Sequence, residues 1–107
     1  MNDLEITKLC AEAMGLSHRN LAWSVADDIR DHCIEALTGH GKWSLYDPFH
    51  DDAQAMALVK KFILSISMHN DGWTVSPQYE PSYSDNSVCN TNLNRAICLC
   101  VAKMRSK

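Results

Sequence analysis

The sequence predicts an α+β fold: a small antiparallel sheet packed with amphipathic helices, αβα sandwich-like and forming a single domain. Two observations carry this prediction. Apolar residues recur every three or four positions in segments near both ends and in the middle of the chain, as buried helix faces require, and they alternate with polar ones over residues 64–75, as half-buried strands do. In addition, no repeat, low-complexity tract or linker divides the 107 residues, a length that suits one core.

The first helix is expected over residues 3–14. Asn2 can cap it, Glu5 stands three residues on as a capping-box partner, and Gly15 permits the left-handed stop after Met14. Its inward stripe is Ile6, Leu9, Cys10, Ala13 and Met14, with Leu4 at the edge. Residues 16–43 admit two readings. Val25, Ile29, Cys33 and Leu37 repeat every four residues opposite Asp27, Asp28, Arg30 and Asp31, which favours a helix over 25–37. The alternative is a hairpin whose arms, 33–37 and 42–46, flank a Gly39-His40-Gly41 turn.

Pro48 and the acids that follow it suit a helix start, so a third helix is expected over 50–62. Ala55, Met56, Leu58, Val59 and Phe62 face inward, and Lys60 and Lys61 complement the dipole. Leu64, Ile66 and Met68, then Trp73 and Val75 after Asn70-Asp71-Gly72, define a β-hairpin. Residues 78–90 read as a surface loop or a poorly formed edge strand. The last helix is expected over 92–105, with Leu93, Ile97, Cys100, Val101 and Met104 inward. A lone hairpin is marginal in water, so a third strand from near Gly41 or Tyr79, or a second chain, should complete the sheet. A homodimer is therefore expected.

Composition narrows the partners. A net charge of −3 and a pI near 5.9 lack the basic excess of a phosphate-neutralising duplex binder, so no nucleic-acid partner is expected. No stretch reads as a membrane span, and the acidic start differs from a signal peptide, which places the expectation in the cytosol. Cys10, Cys33, Cys89, Cys98 and Cys100 form an odd set without framework spacing, which suits free thiols in a reducing compartment.

The segments "KLCAEAMGL", "YDPFHDDAQAMALVKKF", "WTV" and "NTNLNRAICLCVAKM" together resemble small tailed-phage proteins with the phage ABA sandwich domain. The resemblance covers residues 2–14 and 46–107, while 16–43 looks particular to this chain. It implies a fold more than an activity. It also implies an accessory product made in an infected bacterium, of a kind that often antagonises host defence. One class of such products sequesters nucleotide immune signals, such as cyclic or modified ADP-ribose, without chemistry.

No nucleophile with a base, convergent carboxylate pair or metal-ligand spacing is legible, so no catalysis, metal or cofactor is expected. Asp51 and Asp52 suit a helix start, and Asp27, Asp28 and Asp31 a solvated face. His32, His40 and His50 show no helical pair spacing for a shared metal. The candidate ligand site is the start of the last helix. Thr91 or Asn92 would cap it, and Arg95, one turn in, would grip a phosphate unless it pairs with an acid such as Asp85. Trp43 and Tyr46 would stack a base, with His40 and His50 as polar neighbours; Trp23 could act similarly, and Trp73 is the ring most suited to the core.

The function expected on these grounds is non-enzymatic sequestration of a phosphate-bearing, nucleotide-like small molecule. Two alternatives stand beside it: an inhibitor that binds a host enzyme through Asp27, Asp28 and Asp31, and a phosphodiesterase that degrades such a signal.

Overall fold

In the computed structural model, which describes residues 1–37, 41–78 and 86–106, helix α1 (Asp3–Ala13) opens the chain. Asn2 Oδ1 accepts the Glu5 amide at 2.8 Å, as a cap should. Gly15, at φ 75°, lets the Gly15 and Leu16 amides turn back onto the Glu12 and Ala11 carbonyls.

The ambiguous region resolves in favour of the hairpin, and the helix expected over 25–37 does not form. Strand β1 (His18–Asn20) is followed by a single helical turn, α2 (Asp27–Arg30), and then by β2 (Ile34–Leu37) and β3 (Trp43–Tyr46). These strands make an antiparallel sheet in the order β1-β2-β3, with Ile34 opposite Tyr46 and Leu37 opposite Trp43. Burial explains the outcome. Ile34 and Ala36 are buried and alternate with half-buried Glu35 and Leu37, a period of two. The four-residue repeat is incidental, because Ile29 on it is exposed. Thr38, Gly39 and His40 lie outside the described residues.

Helix α3 (Asp52–Phe62) starts two residues later than expected, because Asp51 is its cap and accepts the Gln54 amide at 3.0 Å. His50 therefore sits in the preceding turn. Met56, expected inward, is 42% exposed, while Ala55 and Leu58 are buried. Ile63 ends the helix in the left-handed region, at φ 51°.

The second sheet has the order β4-β5-β6, from β4 (Leu64–His69), β5 (Gly72–Pro77) and β6 (Val88–Asn90). Asn70-Asp71 joins β4 to β5, with His69 opposite Gly72. The third strand comes from residues 88–90, within the 78–90 segment read as a loop or edge strand; Gly41 precedes β3 in the other sheet, and Tyr79 itself lies outside the described residues. Because β6 completes this sheet within the chain, the reason for expecting a second copy is gone.

Helix α4 (Leu93–Arg105) packs against α1, α3, β5 and β6, while α1 also packs on β1 and β2. Ala96, Ile97, Cys98, Cys100, Val101 and Ala102 are all buried, so α4 is covered around most of its circumference. The α+β class and the single domain are as expected, with two three-stranded sheets in place of one. A Cα radius of gyration of 13.8 Å matches the ~13 Å of one compact unit near this size. All five cysteines are free thiols. Among the described residues, no helix is long and apolar enough to cross a membrane.

Candidate functional site

A cluster of polar side chains gathers where β3 turns into α3. Pro48 and Phe49 are buried, and they anchor a turn in which the His50 and Asp51 amides donate to the Asp47 carbonyl at 3.1 and 2.9 Å. Gln54 clamps this turn from α3: its Oε1 accepts the Asp47 amide at 2.7 Å, and its Nε2 donates to the Leu45 carbonyl at 3.0 Å. Asp47 and His50, on either side of the buried pair, face each other, with His50 Nδ1 at 2.8 Å from Asp47 Oδ2.

His32 joins them from the chain preceding β2. Its carbonyl is held by the Thr7 hydroxyl at 2.8 Å, its Nδ1 donates to Asp31 Oδ1 at 2.8 Å, and its Nε2 lies 3.5 Å from Asp47 Oδ2. The two imidazoles meet edge to face with centroids 4.9 Å apart. Asp47 Oδ1 is buried and has no hydrogen-bond partner. These groups line an open pocket of about 330 Å³, together with Ile29, Cys33, Leu45, Asp51 and Gln54. Burial, aided by the charge on Asp47, pushes the Cys33 thiol above its ordinary value, which keeps it from being a ready nucleophile.

On the other side of His50 lies the start of α4. Asn92 is the cap: its Oδ1 accepts the Arg95 amide at 3.0 Å, and its own amide donates to Asn90 Oδ1 at 2.9 Å. The Arg95 guanidinium is paired, though not with Asp85, which lies outside the described residues. Two of its nitrogens reach the Asp3 carboxylate at 3.3 and 3.0 Å, and its carbon sits 5.3 Å from the centre of the Phe49 ring. Asp3, Phe49, His50, Asn92 and Arg95 enclose a pocket of about 110 Å³. Asn92 also borders a neighbouring pocket of about 430 Å³, walled by Thr91, Leu93, Met56 and the Asn94–Asp52 hydrogen bond.

Of the residues singled out from sequence, Arg95, Asn92 and His50 therefore share one pocket and Thr91 lines the next. Trp43 and Tyr46 border neither, since strand alternation puts them on opposite faces of β3. Tyr46 is buried, and its hydroxyl has no hydrogen-bond partner. Trp43 is 37% exposed and carries the Arg19 guanidinium 4.1 Å above its ring. His40 lies outside the described residues. Trp73 is half-buried rather than a core ring. Trp23 is 85% exposed; four residues on in the chain Asp27 pairs with Arg30, and Asp28 is exposed.

Sequence reasoning missed Asp3, Asp47 and Phe49, and it set His32 aside. The Asp47–His50 spacing across Pro48 was the available signal, whereas His32 and Asp3 arrive only through tertiary packing.

The fold defines a small single-domain α+β protein. The chain matches no family model, no curated protein and no solved structure.

Proposed function

We propose that this chain is a non-catalytic binding protein that captures the phosphate of a small anionic molecule at the start of α4. One observation carries the reading: Arg95, His50 and Asn92 converge on a single pocket beside the Phe49 ring. A pocket of about 110 Å³ suits a phosphate group, not a whole nucleotide, so the remainder of the ligand would extend past Asn92 into the larger neighbouring pocket. Asp3 holds Arg95 in place and competes with the ligand for it. Trp43 and Tyr46 have no part in this refined site. The resemblance to the phage ABA sandwich family supports placing the chain among phage accessory products in the host cytosol, and the ligand among host nucleotide immune signals such as ADP-ribose derivatives.

Calorimetry against ADP-ribose derivatives, cyclic dinucleotides and inorganic phosphate tests this reading. Arg95→Ala should weaken binding by about 10- to 100-fold, the worth of a charge-assisted hydrogen bond. Asp3→Asn, which removes the internal competitor, should strengthen it. A panel without binding, or both variants shifting affinity in the same direction, would defeat the proposal. Ligand recovered chemically unchanged separates capture from phosphodiesterase action.

A second reading, an inhibitor that binds a host protein, is favoured by Trp23, which is 85% exposed and precedes Asp27 and Asp28 by four and five residues in the chain. Exposed tryptophans of this kind are frequent anchors of protein interfaces. In that case Trp23→Ala and charge reversal at Asp27 and Asp28 should abolish capture of one host protein and leave phosphate binding intact.

A further inference from the structure

We propose that His32, Asp47 and His50 form a binding site for a divalent transition-metal ion of the zinc class, which shares His50 with the anion pocket proposed above but needs neither Arg95 nor Asn92. One ligand atom from each residue can be chosen so that all three lie within 4.8 Å of one another. Metal bonds of about 2.1 Å place neighbouring tetrahedral ligands about 3.4 Å apart. The separations from Asp47 Oδ2 to His32 Nε2 and His50 Nδ1, 3.5 and 2.8 Å, bracket that value. Two imidazoles and one carboxylate select zinc, nickel, cobalt or iron over calcium and magnesium, which prefer oxygen alone.

The surroundings argue for an ion in more than spacing. His32 Nδ1 donates to Asp31 Oδ1 at 2.8 Å, the carboxylate–histidine relay that orients a metal-binding ring. With Nδ1 engaged by Asp31, Nε2 is the ring nitrogen left for an ion, 3.5 Å from Asp47 Oδ2. Asp47 Oδ1 is buried with no hydrogen-bond partner, so half of the carboxylate's capacity stays uncommitted where desolvation makes that costly.

The donors are also held in place before any ion arrives. Thr7 fixes the His32 carbonyl, Gln54 fixes the Asp47 amide, and the turn hydrogen bond to the Asp47 carbonyl fixes His50. With three protein ligands beside an open pocket, at least one coordination position is left for water or another small ligand.

The test uses the full chain without a histidine tag, reduced and stripped with chelator, then titrated with zinc by calorimetry and with cobalt by visible absorption. We expect one ion per chain, and cobalt ligand-field bands without the thiolate charge-transfer band that cysteine ligation would give. His50→Ala is the decisive variant, because that side chain is mostly exposed and its removal leaves the core alone. It, His32→Ala and Asp47→Asn should each weaken zinc binding by more than about tenfold, and Asp31→Asn, acting through His32, by about 10- to 100-fold. His69→Ala and Cys89→Ala should change nothing. Absence of uptake by the wild-type chain, uptake unchanged in His50→Ala, or uptake lost in Cys89→Ala would each overturn the site.

Discussion

Gly72 shows how a single hydrogen atom can set the fit between two strands. A Cβ placed there would lie 2.6 Å from the Asn90 carbonyl oxygen, and the backbone holds φ at 151°, which side chains rarely adopt. Gly72→Ala must therefore separate β5 from β6 or strain the turn, and it should cost about 1–3 kcal/mol, read as a lowered urea midpoint. Tyr46 carries the opposite expectation. Its hydroxyl is buried without a partner, so the fold bears the desolvation of that group with nothing in return. Tyr46→Phe keeps the ring and removes the hydroxyl, and it should stabilise the chain by about 1 kcal/mol. A destabilised Tyr46→Phe would show that the hydroxyl does have a partner in solution.

At the scale of elements, Gln54 is the hinge between sequence and site. It ties the end of β3 to the first turn of α3 through two hydrogen bonds, at 2.7 and 3.0 Å, and so fixes where Asp47 and His50 stand. Gln54→Ala should cost about 1–3 kcal/mol in denaturant unfolding, and it should also weaken anion or metal binding at His50 without touching either ligand set. Elements with local punctuation were legible from sequence: Asn2, Gly15, Asn92 and the Asn70-Asp71 loop each mark an end by short-range chemistry, whereas the Asp51 cap shifted the start of α3 by two residues. Residues 16–43 were not fixed in the same way, because Cys33 to Leu37 fits either a period of four or a period of two until β1 and β3 flank it. The same limit hid much of the site. Arg95, Asn92 and His50 could be named from their local setting, whereas the Arg95–Asp3 pair joins residues 92 apart, and His32 meets Asp47 only once the helix reading of its segment is set aside.

For the molecule as a whole, the core contains acids that stay protonated where water would let them ionise, and this sets its response to alkali. Cys98 on α4, through its hydrogen bond with Cys10 and through burial, is held well above the ordinary thiol value of 9.0. Tyr46 on β3 is raised by burial and then by the nearby Cys10 and Cys98, and Cys33 is raised by burial and then by Asp47. Below pH 9 both folded and unfolded chains keep these protons, so the three groups leave stability flat. Above it the unfolded chain releases protons that the folded chain retains; the folded state then binds more, and unfolding becomes easier by at most about 1.4 kcal/mol per pH unit for each group. Urea unfolding of the reduced protein should therefore show a midpoint steady from pH 7 to 8.5 and falling steeply from pH 9 to 11. Cys98→Ala should make that fall shallower, and Cys98→Ala combined with Tyr46→Phe shallower still, even though the first substitution lowers the midpoint at neutral pH by opening a small cavity. A midpoint as steady in alkali as at neutrality would mean that water reaches the junction of α1, α4 and β3, in conflict with the burial of Cys10, Cys98 and Tyr46 there.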